Sequence, residues 1–205
     1  MAKKSGKGLV IVISGPSGSG KTTIARHLIE RVSDIAFSVS HTTRALRGQE
    51  EDGHDYHYIE DKTFDAMVKN NDFLEWAHVH GKRYGTSKKH LQKYIEQGID
   101  VILDIDVQGG RQIQQQIKES VLIFVVAPDL QTLGARLRSR RSDKEDEIER
   151  RLQVACSEIQ DAIFYPYWII NHDLEQSVDC LRSILMTERM RALNKSGLAS
   201  EILQT

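Results

Sequence analysis

Hydrophobic positions near the start of the chain form two successive patterns of different period. Residues Gly8 to Ser14 are a short β-branched run that ends in a glycine-rich turn, and apolar side chains then recur at helical spacing over Lys21 to Val32. A short continuous apolar run indicates a buried strand, whereas recurrence with a period of about 3.6 residues indicates a helix. The opening segment therefore predicts a strand, a loop and a helix, in that order.

The same alternation returns farther along the chain. Apolar runs of strand length lie at Asp100 to Asp104, Val121 to Ala127 and Tyr167 to Asn171, and helical patterns follow them. Strands that alternate with helices predict an α/β fold, a mostly parallel sheet flanked by helices. The last helix, at about 173–193, carries an apolar stripe that would suit either the core or a second copy of the chain, so a homo-oligomer stays open.

Two segments interrupt this alternation. The first, Phe37 to Gly98, mixes short alternating stretches with turn-rich ones, with helices near 62–69 and 87–97. We expect a small mixed α/β lobe there, inserted at 37–95 into a core made of 1–36 and 96–205. The second, at 136–151, is rich in arginines and acids and poor in apolar residues, which predicts an exposed, mobile lid at about 135–152.

Length, charge and cysteine content limit the domain organisation and the partner classes that the sequence favours. A chain of 205 residues suits one compact domain with small insertions. Its 28 basic and 29 acidic side chains leave a formal net charge of -1, so no global charge favours a nucleic acid or a membrane as partner. The apolar run Leu9 to Ile13 is shorter than the core of a signal peptide. The two cysteines, Cys156 and Cys180, have no metal or redox spacing, which favours a reducing, cytoplasmic setting.

Histidine pairs are a weaker lead toward a metal site. His54 with His57 and His78 with His80 have suggestive spacing, but no cysteine pair or HExxH pattern accompanies them. Polar faces of turns and strands are the simpler interpretation, so we expect no histidine-bound metal.

The glycine-rich turn matches the phosphate-loop pattern GxxxxGK[ST]. In order it contains Gly15, Pro16, Ser17, Gly18, Ser19, Gly20, Lys21 and Thr22, with Thr23 next. Glycines let the backbone curl so that amide hydrogens face phosphate oxygens, and the following helix adds the positive end of its dipole. Lys21 would reach the outer phosphates and Thr22 would coordinate Mg²⁺. The pattern predicts nucleotide binding, but ATPases, GTPases and small-molecule kinases all use such a loop.

An ordered set of motifs in and after the inserted segment narrows this choice. The set is Phe37-Ser-Val-Ser-His-Thr-Thr-Arg44, Arg47-Gly48, Asp55-Tyr56, Phe73-Leu-Glu-Trp76, Tyr84-Gly85-Thr86 and Ile102-Leu-Asp-Ile-Asp106. In order and spacing it resembles the acceptor-binding region of guanylate kinases, and with the phosphate loop the resemblance runs from about residue 9 to about residue 190. It implies a phosphate-loop nucleoside monophosphate kinase that uses ATP and Mg²⁺ to phosphorylate GMP, and also dGMP, in purine metabolism and GMP recycling.

The resemblance also assigns residues to the acceptor. A phosphate dianion needs convergent donors, and Arg44 and Arg47 offer guanidinium forks while Tyr56 and Tyr84 offer hydroxyls. These residues would hold the phosphate of GMP.

Glu75 is assigned to the guanine base. Its ionised carboxylate offers two acceptors to the adjacent donors of guanine, whereas adenine has an acceptor at that edge. Ser40 and Thr86 resemble the family's hydroxyl contacts to the base. Asp104 and Asp106 follow a predicted parallel strand and lie, by resemblance, near the guanine and the magnesium shell, with their separate roles open.

Further positions match the lid and the donor site of the family. Arg136, Arg140 and Arg151 match lid arginines that would stabilise the charge of the moving phosphoryl group, although arginines in such a run could instead pair with neighbouring acids. Asn171 resembles an asparagine near the adenine of ATP, and His172 stands where the family often has aspartate.

Three other functions fit parts of the pattern. They are a kinase for another nucleotide or a phosphorylated sugar, a guanylate-kinase-like module that binds peptides, and a GTPase-like switch. The complete phosphate loop disfavours the peptide-binding module, and the acceptor-like lobe disfavours the switch.

Overall fold

A computed structural model describes residues 7–48, 50–79, 81–139 and 145–195. In chain order the elements are β1 (Val10–Ser14), α1 (Lys21–Arg31), β2 (Ile35–Phe37), β3 (His41–Thr42), β4 (His57–Tyr58), α2 (Asp61–Lys69), β5 (Phe73–Val79), β6 (Lys82–Ser87), α3 (Lys88–Glu96), β7 (Asp100–Asp104), α4 (Val107–Gln116), β8 (Val121–Val126), α5 (Leu130–Ser139), α6 (Glu145–Asp161), a 3-10 helix (Ala162–Phe164), β9 (Tyr167–Ile170) and α7 (Leu174–Lys195). Among these residues, no helix is both long enough and apolar enough to cross a membrane.

The larger sheet is parallel throughout, with strand order β2-β7-β1-β8-β9. Every residue of β1 and β8 is buried, because helices cover both faces of the sheet. The α/β class expected from the sequence is therefore confirmed. The edge strand Ile35–Phe37 was not predicted, because its three residues are too few to show a periodic pattern.

Alternate residues of β1 feed two separate hydrophobic clusters. Ile11 and Ile13 pack with helices α1 and α7, whereas Val10 and Val12 pack with α3 and α4 on the other face. This separation follows from the two-residue period of a strand. The apolar stripe of α7 lies in the first cluster, where Val178, Leu181 and Leu185 are buried, so core packing accounts for the stripe.

The inserted lobe is built on a second, mixed sheet with strand order β4-β3-β6-β5. Gln112 of α4 joins this sheet to the core, since its side-chain amide donates to Trp76 O at 2.9 Å and accepts from Trp76 N at 3.2 Å. The expected bounds of the lobe, 37–95, stay a prediction, and elements near both bounds contact the core. Phe37 pairs within the core sheet, and helix α3 sends Leu91 into the second hydrophobic cluster.

The arginine-rich segment around the lid is largely helical in its described parts. Helices α5 and α6 pack together through a small cluster in which Leu137 and Ile148 are buried. The prediction that the whole segment is exposed is wrong for these two residues and for Arg151, which is also buried. Apolar residues spaced one helical turn apart contribute to packing even when charges surround them in the sequence.

The C-terminal helix is held to the sheet by an ion pair. Arg189 Nε lies 2.6 Å from Asp100 Oδ2, and the other carboxylate oxygen of Asp100 accepts from Leu9 N at 2.8 Å. Arg189 also donates to the carbonyl of Ser33 at 3.0 Å. The Asp100 side chain is 0% exposed, so this ion pair is buried on the side of the carboxylate.

We expect Arg189→Ala to lower the free energy of unfolding by about 3–5 kcal/mol, because it removes the arginine that pairs with the buried carboxylate of Asp100. Urea unfolding followed by circular dichroism would measure the loss. The matched control is Arg182→Ala, which removes an exposed arginine from the same helix. Equal stability of the two variants would contradict the importance of the buried pair.

Candidate nucleotide-binding site

A cavity of about 360 Å³ lies between the phosphate loop and the second sheet. Most of the site residues predicted from the sequence line it: Gly15, Ser17, Gly18, Gly20, Lys21, Thr22, Thr23, Ser40, Arg44, Arg47, Tyr56, Glu75, Tyr84, Asp104, Asp106 and Arg151. Five predicted residues that the structure describes lie nearby but off this wall: Pro16, Ser19, Thr86, Arg136 and Asn171. The fold thus brings donor-like and acceptor-like residues to one cleft.

The phosphate loop has the backbone that its glycines permit. Gly20, which precedes α1, has φ of 96°, a left-handed conformation that side chains disfavour. A Cβ atom on Gly15 would lie 2.0 Å from Val125 O, so that position also excludes a side chain. Ser19 N donates to Pro16 O at 3.1 Å and closes the turn.

Lys21 and Thr22 begin helix α1 beside the loop. The Lys21 ammonium donates to Gly15 O at 2.6 Å and to Pro16 O at 3.2 Å, which leaves one of its three donors for another acceptor. Thr22 Oγ1 donates to Asp104 Oδ2 at 2.5 Å. A hydroxyl and a carboxylate oxygen held together are ligands that suit Mg²⁺, so these residues fit a magnesium site.

The acceptor side of the cavity contains a bidentate ion pair that was not predicted. Both terminal nitrogens of Arg44 lie 2.8 Å from the carboxylate of Glu50. Glu50 also accepts from Tyr58 Oη at 2.7 Å and from Arg47 N at 2.9 Å. Burial acts to raise the pKa of Glu50, but these bonds together lower the pKa below its usual value. Arg44 is thus held in one orientation, with guanidinium donors still available because the group has five.

Two tyrosines complete this part of the wall. The rings of Tyr56 and Tyr84 meet edge to face, with centroids 5.6 Å apart, and the Arg44 guanidinium lies 5.2 Å from the centroid of Tyr56. Burial raises the pKa of Tyr56, and the charge of Asp104 adds to the rise. The Tyr56 hydroxyl therefore keeps its proton and can act as a hydrogen-bond donor at neutral pH.

An ion pair links the core to the lobe at the edge of the cavity. Arg26 of α1 lies 2.5 Å from Asp55, whose other oxygen accepts from Glu51 N at 2.9 Å. Both side chains line the cavity, and neither was predicted as a site residue. A contact between separate segments such as this one has no local sequence signal.

Glu75 is a buried carboxylate on β5. Its side chain is 3% exposed, and Oε1 accepts from Thr86 Oγ1 at 2.6 Å across the β5–β6 pair. Burial raises the pKa of Glu75 to about 7, the Thr86 hydrogen bond opposes the rise, and the charge of Asp106 adds to it. The hydroxyl proton of Thr86 is thus directed at Glu75, whereas Ser40 lies on the cavity wall.

Two further acids line the cavity with Glu75. Asp106 caps α4, where Oδ1 accepts from Gly109 N at 2.8 Å, and burial is the main cause of its raised pKa. Glu158 of α6 also lines the cavity and was not predicted. Burial raises the pKa of Glu158, Lys21 opposes the rise, and Asp106 adds to it.

The predicted lid arginines have different surroundings. Arg151 lines the cavity and points Nη1 at Ser17 Oγ, 3.4 Å away, with Glu147 at 3.6 Å. Arg136 lies off the wall, and its Nη2 donates to Asn171 O at 2.9 Å. Its Nη1 is buried with no hydrogen-bond partner in the described part of the chain. Arg140 lies outside the described residues.

Asn171 lies behind the phosphate loop. Its amide nitrogen donates to Ser19 O at 2.7 Å, and its amide oxygen lies 3.0 Å from Ser177 Oγ. Both polar atoms of the side chain are therefore engaged with protein groups.

Three of the four paired histidines, His54, His57 and His78, lie in the described part of the chain. Within the described ranges, no group of three or more His, Cys, Asp or Glu side chains is arranged to hold a metal ion, and His80 lies outside those ranges. The rings of His41 and His57 do approach to 4.7 Å between centroids. Burial lowers the pKa of His41 to about 4, and the neighbouring charges of His57 and His90 add to the decrease.

Comparison with known proteins agrees with this geometry. Residues 7–188 match the guanylate kinase family profile. A guanylate kinase from Carboxydothermus hydrogenoformans is 42% identical over 185 residues, covering 90% of this chain and 91% of the relative. A guanylate kinase from Nitrobacter winogradskyi is 41% identical over 195 residues, covering 95% and 89%.

A solved structure gives the same result for the fold. The crystal structure of guanylate kinase from Anaplasma phagocytophilum aligns with a TM-score of 0.76 at 32% identity, covering 92% of this chain and 90% of that one. Because the family match spans nearly the whole domain and the relatives align along most of their length, the chain belongs to the guanylate kinase family.

Proposed function

We propose that this chain is an ATP:GMP phosphotransferase that converts ATP and GMP to ADP and GDP in the cytoplasm, with dGMP as a second acceptor. Its place would be purine nucleotide metabolism and GMP recycling. One observation carries the proposal: a single cavity has the phosphate loop on one wall and, on the other, Glu75 beside two arginines and two tyrosines. Such a cavity suits two nucleotides whose phosphates meet between the walls.

The donor wall would hold the phosphates of ATP. Backbone amides of the loop, among them those of Gly18 and Gly20, and the remaining donor of Lys21 would supply hydrogen bonds to phosphate oxygens. Thr22 and Asp104 would hold Mg²⁺ through their oxygens. A magnesium ion bound there supplies positive charge that neutralises the outer phosphates.

The acceptor wall would hold GMP by its two ends. Arg44, Arg47, Tyr56 and Tyr84 line the cavity, and their guanidinium and hydroxyl groups would hold the phosphate of GMP. Glu75 would accept from the paired donors of guanine, with Ser40 and Asp106 beside it. Thr86 contributes through Glu75, because its hydroxyl holds the carboxylate.

Transfer needs charge balance rather than a general base. The second pKa of a phosphate monoester is about 6, so the attacking oxygen of GMP is already ionised at neutral pH. Arg151 lies beside the phosphate loop, and Nη1 of Arg136 has no hydrogen-bond partner among the described residues. Both arginines would stabilise the charge that spreads over the phosphoryl group. We propose the same role for Arg140.

An ADP-release assay with Mg²⁺, ATP and separate additions of GMP, AMP, CMP and dTMP tests the proposal. We expect kcat/KM for GMP to exceed that for AMP by about 10⁴-fold, because AMP would leave the buried Glu75 without its donors. ATP alone should be hydrolysed slowly, since without an acceptor the two walls are not brought together around the phosphates and the groups that stabilise transfer are not in place. Stronger stimulation by another monophosphate, or none by GMP, would exclude the proposed reaction.

A further inference from the structure

Asn171 makes contacts with three separate parts of the core. Its side chain is 6% exposed, and the amide nitrogen donates to Ser19 O at 2.7 Å. Its backbone nitrogen donates to Val126 O at 2.8 Å, at the end of β8. Its backbone oxygen accepts from Arg136 Nη2 at 2.9 Å, on α5. Asn171 therefore connects the phosphate loop, strand β8 and helix α5.

The orientation of the amide is set by its neighbours. Because a carbonyl oxygen can only accept, the group that faces Ser19 O has to be the amide nitrogen. The amide oxygen then faces Ser177 Oγ at 3.0 Å, and that hydroxyl also lies 2.7 Å from Asp173 O. Ser177 is 2% exposed. The buried hydroxyl of α7 thus supports the amide from the side opposite the loop carbonyl.

The loop approaches this amide too closely for any residue except glycine. A Cβ atom on Gly20 would lie 2.3 Å from Asn171 Nδ2. Gly20 lines the cavity, whereas Asn171 does not. The asparagine therefore contacts the loop from behind the nucleotide cavity, and each polar atom of its side chain lies within hydrogen-bond distance of a protein group.

The Ser19 carbonyl controls where the next amide points. In a planar trans peptide the C=O and the following N–H point in opposite directions. A hydrogen bond that fixes Ser19 O toward Asn171 consequently turns the N–H of Gly20 away from Asn171. Amides aimed in this way are what a phosphate loop uses to bind anions.

We propose that Asn171 is a positioning residue that holds the Ser19–Gly20 peptide so that the Gly20 amide faces the phosphates of the donor nucleotide. This inference rests on the proposed use of ATP as donor. The inference assigns the Asn171 side chain to the loop and not to the adenine. Asn171 should therefore influence the affinity for any ligand whose phosphates bind to the loop.

The test replaces Asn171 with aspartate, which is nearly the same size but turns a carboxylate oxygen toward Ser19 O. Arg136 keeps its contact because it binds the backbone oxygen. Dissociation constants for ATP, GTP and inorganic tripolyphosphate, each with Mg²⁺, are measured by calorimetry on the full chain. We expect all three to rise by a similar factor of about ten, the loss expected for one hydrogen bond, with KM for GMP unchanged.

A second pair of variants keeps the test decisive if Asn171→Asp is unstable. Ser177→Ala removes the supporting hydroxyl and should weaken all three ligands by a smaller common factor. Ser183→Ala, on the same helix, removes an exposed hydroxyl bonded only to Asp179 O in the described structure and should change none of them.

The outcomes separate the possible roles. Loss of ATP affinity with tripolyphosphate binding intact would assign Asn171 to the adenine and overturn the inference. Equal losses for GMP and ATP with a lower melting temperature would assign it to stability and also overturn it. Because tripolyphosphate binding is read without catalysis, failure of GMP phosphorylation would refute the proposed function while leaving this result interpretable.

Discussion

Lys21→Ala is expected to lower kcat for phosphoryl transfer by about 10²–10³-fold, the cost of removing one charged donor from a transition state. In the structure its ammonium docks on the carbonyls of Gly15 and Pro16 and keeps one donor for a phosphate oxygen. Negative charge develops on the leaving phosphates as the bond to the transferred phosphoryl group breaks, so the loss should fall mainly on kcat. A coupled assay of ADP release at saturating ATP and GMP measures it.

The control for this prediction is Lys93→Ala, which removes an exposed lysine from α3, outside the cavity lining. It should retain full turnover. Both variants should unfold at temperatures close to that of the parent chain, because neither side chain packs in the described core clusters. Turnover of the Lys21 variant within about tenfold of the parent would show that charge balance comes from elsewhere.

Glu75→Gln is expected to raise KM for GMP by about 10–100-fold while KM for ATP stays nearly unchanged, since hydrogen bonds to a charged group are worth about 1.5–3 kcal/mol. Glutamine presents an NH₂ donor where the ionised carboxylate presents a second acceptor. That donor would face an N–H group of guanine, and neither of the two donors would have an acceptor. Steady-state kinetics with each substrate varied in turn measure the two constants. Similar increases for ATP and GMP would contradict a base-reading role.

The pH dependence of GMP binding provides a second test of Glu75. Burial raises the pKa of Glu75 to about 7. Its carboxylate therefore becomes protonated, and loses an acceptor, as the pH falls through 7. KM for GMP should increase below that pH, approaching about tenfold per pH unit. Glu75→Gln should lack this dependence and retain only the titration of the GMP phosphate, whose pKa is about 6.

Thr86 offers a matched pair of variants for the same experiment. Its hydroxyl donates to Glu75 and opposes the rise in the pKa of that carboxyl. Thr86→Val should therefore move the increase in KM for GMP to higher pH, whereas Thr86→Ser, which keeps the hydroxyl, should not. An unchanged profile in Thr86→Val would assign the pH dependence to another group.

Local motifs were the most predictable part of the site. The phosphate loop could be located from the sequence because its conformation depends on glycines within the loop itself, as at Gly15 and Gly20. Lys21 and Thr22 follow at fixed positions on the first turn of α1. The strands β7 and β8 were equally clear, because buried parallel strands are continuous apolar runs.

Contacts between residues far apart in sequence, or with one of several similar residues in a loop, were not predictable. Glu50 is one of several acids in its loop, and only the fold sets it against Arg44 in a bidentate pair. Arg26 meets Asp55 because α1 and the lobe face each other. Thr86 was predicted as a base contact, and its hydroxyl proton is directed at Glu75, because the register of β5 and β6 places the two residues opposite each other.

The amino-acid sequence alone determined the fold class, the phosphate loop and the order of the acceptor motifs, because these depend on residue type and on spacing along the chain. Tertiary structure decided which side chains reach the cavity. It places Glu158 on the cavity wall and Asn171 behind the phosphate loop. It also decided the raised pKa of Glu75, which results from burial by residues far apart in sequence. Burial and hydrogen-bond partnership depend on how separate segments pack, and no single segment encodes that packing.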